Sequence, residues 1–444
     1  MSLKAWGGAL ALLVVAQGCD KLRSLPGLEL APVVPAPPPP PQVSMGPWLL
    51  NPLPGQTTVA WTTLEPSLGR VWYGSPEPDR LATEEGQPST DHRVVLPSLQ
   101  PGTQVRYRVD GGTETGWFTS PPKQGGEGPI QVLVYGDNRT NNGDHALVAR
   151  AAAAEHPQLL LHTGDMVVSA REEPLWRVWF QEEHDLVAHA PILATVGDHE
   201  VTDNGAAYIR FFQHRDRRAY WSVDYGPVHI VVLDSFDTSA GATPQRGGIS
   251  EVQKAWFEED LRGVPKDRHV WVLVHQGPYA HPEEKREGHG GSDEVRAAIL
   301  AGHRVHPIEA VFAGHEHFYE RGEIDGIRYF VLGGGGSPLE DPDPRGSGVQ
   351  SAARALSYAT VQVCGCHTSG RVKDIAGKVI DAFTLADCST PCSVPGWAAA
   401  VLAANVVPAA PQATGQDDSR RKRRRKRRRA SAESGDAAEE NLRR

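Results

Sequence analysis

The chain has 444 residues, 39% of them hydrophobic, and a formal charge of −9. Its length is enough for two domains and a sizeable core. Residues 420–429 are ten consecutive Arg or Lys; without them 35 basic side chains face 54 acidic ones, a net −19. That balance excludes nucleic-acid binding through a general basic surface of the body, and no specific nucleic acid is expected as a partner.

Lys4 precedes an apolar stretch over residues 5–16, too short to span a bilayer. Ala16 and Gly18 fit a cleavage site before Cys19, so residues 1–19 read as an export signal. The pattern resembles a bacterial lipoprotein signal, which implies a lipid at Cys19 and a membrane partner through that anchor. Ala16 stands where such signals usually carry Leu, so plain secretion stays open beside a cell-envelope location. Residues 20–44 form a Pro-rich linker, with Pro at each of 37–41. It favours extended polyproline II, at about 3.1 Å per residue.

Residues 45–122 predict a small all-β sandwich. Residues 58–61, 70–73, 93–96 and 105–109 are short, β-branched or aromatic, and are separated by Pro/Gly turns. Leu99, Pro101, Gly102, Thr103 and Tyr107 resemble a fibronectin type III-like module. Residues 128–390 predict an α/β body, with helical stretches at 144–155 and 251–261 alternating with strands. Its last strands, near 358–363 and 379–385, are expected to close a second sheet. Cys364, Cys366, Cys388 and Cys392 remain after Cys19. In an exported chain two disulfides are the default and a four-Cys zinc the alternative. Residues 395–444 are Ala/Pro-rich, then basic, then acidic, and are expected to be disordered.

Five short apolar runs in the body end at a Gly-Asp or a His. QVLVY at 131–135 runs into Asp137 and Asn138; LLLH at 159–162 leads to Gly164 and Asp165. ILATV at 192–196 runs into Gly197, Asp198, His199 and Glu200; VWVLV at 270–274 stops at His275; AVF at 310–312 leads to Gly314, His315, Glu316 and His317. Such runs read as buried strands, and layered α/β sheets bind ligands beyond the carboxyl ends of their strands. Carboxylates and imidazoles would then converge at one rim, a donor set suited to zinc, manganese or iron.

The order of these motifs resembles the metallophosphoesterase superfamily. Gln253, Trp256, Tyr319, Glu320, Arg321 and the glycine run 333–336 narrow the resemblance to its purple acid phosphatase-like branch, over about residues 45–385. It implies a layered αββα sandwich behind the small β-sandwich, and a phosphate-ester substrate. It implies two metal ions per chain (Fe, Mn or Zn), with a metal-bound hydroxide attacking phosphorus. Asp165 would bridge the metals; Asp137 and His317 would hold the first, and Asp198, His275 and His315 the second. His199 would be catalytic, donating to the phosphoryl group or the leaving oxygen. Glu200 either orients His199 or is a surface carboxylate. Tyr319, Glu320 and Arg321 are expected to brace the last histidine loop.

Three positions depart from that pattern: Asp198 replaces Asn, Val168 replaces the Tyr of the purple enzymes, and Arg139 replaces a His found in other members. The first metal site thus lacks a fourth ligand, and His145 is the candidate replacement. Arg139, His289 and Asn138 are candidates for substrate contact, with His281 a competitor to His289. The expected activity is phosphomonoester hydrolysis. The alternatives are a phosphodiesterase of nucleotides or phospholipid headgroups, and a non-catalytic surface lipoprotein on a decayed scaffold.

Overall fold

The computed structural model describes residues 40–84, 86–139, 141–212, 218–238, 247–284 and 286–388. The export signal, the lipid site at Cys19, most of the Pro-rich linker and the basic tail lie outside the described residues. Among those described, no helix is long and apolar enough to cross a membrane.

The first seven strands are β1 (Val43–Leu53), β2 (Gln56–Ser67), β3 (Arg70–Gly74), β4 (Arg80–Thr83), β5 (Ser89–Leu96), β6 (Gln104–Val109) and β7 (Gly116–Thr119). They form two antiparallel sheets, ordered β1-β2-β5 and β4-β3-β6-β7. Leu49, Val59, Trp61 and Val94 from one sheet share a core with Val71, Val105, Tyr107 and Phe118 from the other. This pair does not stand apart from the body. The Trp48 ring packs, tilted, with its centroid 4.3 Å from that of Phe180 and donates to the Phe211 carbonyl, while Tyr107 donates to the Ala188 carbonyl.

The body stacks two further sheets. The first runs β10 (Ile192–Ala194), β9 (Leu159–His162), β8 (Ile130–Tyr135), β18 (Ser357–Cys364), β19 (His367–Asp374), β20 (Val379–Ala386). The second runs β11 (Trp221–Tyr225), β12 (Val228–Val232), β13 (His269–Leu273), β14 (Ala310–Ala313), β16 (Ile327–Leu332), β15 (Tyr319–Ile324), β17 (Val349–Ala353). Val132, Val134, Leu161 and Val361 of the first meet Ile230, Trp271, Phe312 and Phe330 of the second in one core. Outside the first sheet lie α1 (Asn142–Ala153), α2 (Glu173–Glu182), α3 (His184–Val187) and α4 (Ala206–Phe212); outside the second lie α5 (Glu251–Gly263) and α6 (Asp293–Val305). Strands buried on both faces read as continuous apolar runs, as in β8, β9, β13 and β14. Helix starts are capped where the sequence supplies serine: Ser250 and Ser292 accept from the amides of Gln253 and Val295.

One expectation fails here. β18–β20 extend the first sheet, with β18 antiparallel to β8, and do not close the second. β8 is central to its sheet because β9 and β18 cover both its edges; apolar periodicity cannot tell which sheet offers the free edge. Cys366 and Cys388 form a disulfide that ties the β18–β19 turn to the end of β20, and Cys364 is disulfide-bonded as well.

Away from the rim, His229 in β12 lies between two carboxylates, with Nδ1 2.9 Å from Asp224 and Nε2 2.9 Å from Asp260. Burial opposes its charge, but Asp224 and Asp260 outweigh burial and lift its pKa from 6.5 to about 9. A raised histidine pKa adds stability that is full below the unfolded value and lost as pH climbs through the folded one. The melting temperature of the wild type should therefore fall between pH 6.5 and 9, and His229→Gln should flatten that fall. Equal slopes in thermal melts of the two proteins would refute it.

Candidate functional site

All five motifs end at the same rim. Asp137 lies two residues past β8, Asp165 three past β9, Asp198 four past β10, and His275 and His315 two past β13 and β14. The rim backbone is turned sharply: Asp137, Asp165 and His315 have φ of 60°, 56° and 73°. Left-handed non-glycine residues cluster where geometry serves a site. The glycine run fits for a steric reason. A Cβ at Gly335 would come within 2.1 Å of the Gly136 carbonyl, and one at Gly333 within 2.2 Å of the Glu316 carbonyl. This loop passes directly beneath the first and last motifs.

Three histidines present one nitrogen each to the carboxylates, because a backbone carbonyl holds the other. His275 Nδ1 donates to Thr163 O at 2.6 Å, leaving Nε2 3.2 Å from Asp198 Oδ1 and 3.5 Å from Asp165 Oδ1. His315 Nε2 donates to Gly288 O at 2.9 Å, leaving Nδ1 3.3 Å from Asp198 Oδ1. His317 Nδ1 donates to Pro338 O at 3.0 Å, leaving Nε2 3.9 Å from Asp137 Oδ1. Carbonyl-held imidazoles aimed at carboxylates are how proteins orient metal ligands. Donor atoms of Asp198, His275 and His315 lie within 4.8 Å of one another, as do those of Asp137, Asp165 and His275 and those of Asp165, Asp198 and His199. The residues therefore fit a borderline metal cation.

Burial shapes the charges. Asp137 is pushed well above the usual carboxylate range by burial, with Asp165 adding to it. Burial works against His275 carrying a proton, but Asp165, Asp198 and Asp137 raise it to about 10. Burial also opposes the Asp198 charge, yet hydrogen bonds from His275 and His315 hold that carboxyl far below its ordinary value. His317 is pushed down to about 4 by burial and by Arg139. Protons and cations thus compete for the same atoms.

His199 sits at the mouth. Its Nδ1 donates to Val168 O at 2.7 Å, and its Nε2 lies 4.0 Å from Asp165 and 3.9 Å from Asp198. Arg139 Nε donates to Asp165 Oδ2 at 2.6 Å and Nη2 to His317 Nε2 at 3.1 Å. His289 stacks on His315 at 5.1 Å, and its Nδ1 is 3.2 Å from Glu316. His281 instead turns to Glu320, which accepts from His281 Nδ1 at 2.8 Å and from Tyr329 at 2.9 Å. Tyr319 and Arg321 both donate to Asp381 on β20.

Two expected site residues point elsewhere. His145 has Nδ1 2.9 Å from Glu182 and Nε2 3.1 Å from Glu183. Burial opposes its charge, but the two carboxylates lift its pKa to about 9. A histidine held at both nitrogens offers no lone pair, so it does not replace the missing ligand. The Asn138 side chain is buried and turned inward. Its Nδ2 donates to Gly335 O at 3.1 Å, and its Oδ1 accepts from Trp179 at 3.2 Å and from His162.

The sequence reading missed two supporting residues and left a third, Glu200, open. His162 ends β9 fully buried; it accepts from the Gly164 amide at 3.1 Å and donates to Asn138. Only its place at the end of an apolar run could have signalled it. Glu316 is buried and accepts from the Gly290 amide at 2.6 Å, tying the His289 loop to the last motif. Glu200 is no surface carboxylate. It is buried, and it accepts from the amides of Asp165 at 2.8 Å, Gly197 at 2.9 Å and Met166 at 3.0 Å, joining two ligand loops. Leaving buried amides unpaired costs about 1–3 kcal/mol each. Glu200→Ala should therefore lower the melting temperature by several degrees and weaken metal binding roughly 10–100-fold. Wild-type melting and metal affinity in the variant would contradict this role.

Residues 130–319 match the calcineurin-like phosphoesterase family. The chain is 26% identical over 275 residues to purple acid phosphatase 1 of Ipomoea batatas, and likewise 26% over 275 to Fe(3+)-Zn(2+) purple acid phosphatase 12 of Arabidopsis thaliana. Each alignment covers 56% of this chain and 56% of the relative, so the chain spans little more than half of those relatives' length. The fold superposes on purple acid phosphatase PPD1 from yellow lupin (Lupinus luteus) with a TM-score of 0.64 and 16% identity, covering 78% of this chain and 77% of that one. Residues 130–319 thus match a calcineurin-like phosphoesterase domain, and in sequence the chain is similar to purple acid phosphatases.

Proposed function

We propose that the chain hydrolyses phosphate esters, with phosphomonoesters as substrates, at a centre of two metal cations bridged by Asp165. The observation that carries this reading is the trio His275, His315 and His317. Each is held by a backbone carbonyl and turned toward Asp198 or Asp137. When bound, the cations supply Lewis acidity to the phosphoryl oxygens and lower the pKa of water. Asp137 and His317 would hold the first, and Asp198, His275 and His315 the second.

The chain's own groups do the rest. His199 keeps Nδ1–H on Val168 O, so its Nε2 faces the cleft, placed to pass a proton to the leaving oxygen. Arg139 and His289 flank the same space and suit phosphoryl oxygens. Val168 carries no phenol, so the charge-transfer colour of the purple enzymes is not expected, and iron, manganese or zinc are all candidates. The name of one Arabidopsis relative gives iron and zinc for that protein. Export with a lipid at Cys19 would place the site in the cell envelope; without the lipid the chain would be secreted. The leading seven-stranded pair of sheets fits a fibronectin type III-like module that buttresses α2 and α4.

Rates of 4-nitrophenol release from 4-nitrophenyl phosphate and bis(4-nitrophenyl) phosphate test the reading. Metal-loaded protein should cleave the monoester at least about tenfold faster, and chelation should abolish both activities. A faster diester rate would favour the phosphodiesterase alternative, and no cleavage of either with any metal would favour the non-catalytic one.

A further inference from the structure

Arg139 brings a fixed positive charge into the site. A guanidinium does not lose its proton at neutral pH and cannot ligate a metal. Its side chain is 16% exposed, and it donates to Asp165 Oδ2 at 2.6 Å and to His317 Nε2 at 3.1 Å. Because His317 Nδ1–H is on Pro338 O, Nε2 is that ring's lone-pair atom. Asp165 Oδ2 and His317 Nε2 are therefore donors that a first cation would need beside Asp137, and both are already engaged by one cationic group. The second position is different. Asp198, His275 and His315 converge within 4.8 Å, whereas His317 joins none of the convergent donor groups among the described residues.

We propose that Arg139 is a resident competitor of the first cation, so that the two metal positions load unequally. The Asp198, His275 and His315 position fills first. The Asp137, Asp165 and His317 position fills only as the guanidinium leaves Asp165 and His317. The released guanidinium then has a natural acceptor in a phosphate oxygen, to which its fork can donate two hydrogen bonds. Phosphate and the first cation would thus favour each other, by linkage. This rests on the reading of the rim as a metal centre.

Calorimetric titration of the metal-stripped full chain with Mn²⁺ tests it. The wild type should show two steps, the second at least about tenfold weaker, and inorganic phosphate should tighten that second step. Arg139→Met should narrow the gap by about tenfold and remove the phosphate effect. Two equal steps in the wild type, or an unchanged gap in a folded Arg139→Met, would overturn the competition while leaving the metal centre standing. Should the variant fail to fold, the wild-type titration with and without phosphate decides alone. A wild type that takes up no Mn²⁺ overturns the metal centre and this proposal together.

Discussion

Asp165→Ala is expected to abolish phosphate release and to strip the site of paired metal in one step. Asp165 is fully buried, and its oxygens lie 2.6 Å from Arg139 Nε, 3.1 Å from the His199 amide and 3.5 Å from His275 Nε2. Its donor atoms converge both with those of Asp137 and His275 and with those of Asp198 and His199. Losing it removes the carboxylate that Arg139 pairs with and one of the carboxylates that faces His275. Lewis-acid stabilisation of the transition state is worth several kcal/mol, so the rate should fall on the order of 10³-fold or more. Elemental analysis of the same preparation should show metal lost in step. A near-normal rate in folded Asp165→Ala would sink the assignment of the bridging residue.

His199→Ala should separate proton transfer from metal binding. The side chain is 24% exposed, and its one short hydrogen bond runs from Nδ1 to Val168 O at 2.7 Å. Its Nε2 stays 3.9 Å or more from Asp198 and Asp165, a position for acting on a substrate oxygen more than for holding a cation. Removing a general acid costs roughly 10²–10⁴-fold in rate. The loss should be larger for an alkyl phosphate than for 4-nitrophenyl phosphate, whose leaving group needs little protonation. Metal content and melting temperature should stay at wild-type values. Metal lost together with rate would make His199 a ligand instead.

The rim was legible because its signals are local. Each candidate ligand motif follows a strand buried on both faces, and such strands show as unbroken apolar runs before a glycine or histidine. Neither sheet edges nor side-chain direction is local. β18 joins β8 across more than 200 residues, and nothing in its own pattern names that partner. His145 has the residue type and spacing of a ligand, but Glu182 and Glu183 of the neighbouring helical segment reach it from the side opposite in sequence. Asn138 reads as a turn residue open to substrate, yet Trp179 and Gly335 draw it inward. Glu200 was ambiguous for the same reason. Its partners are backbone amides of a different loop, and side-chain spacing carries no record of them.

The most direct test is to measure metal content and phosphate release on one purified preparation, before chelation, after it, and after adding back iron, zinc or manganese. Bound metal that leaves with the activity and restores it on return is the predicted result. Phosphate release that survives complete removal of metal, or a chain that retains none and cleaves nothing under any reconstitution, would contradict a metal-dependent phosphoesterase.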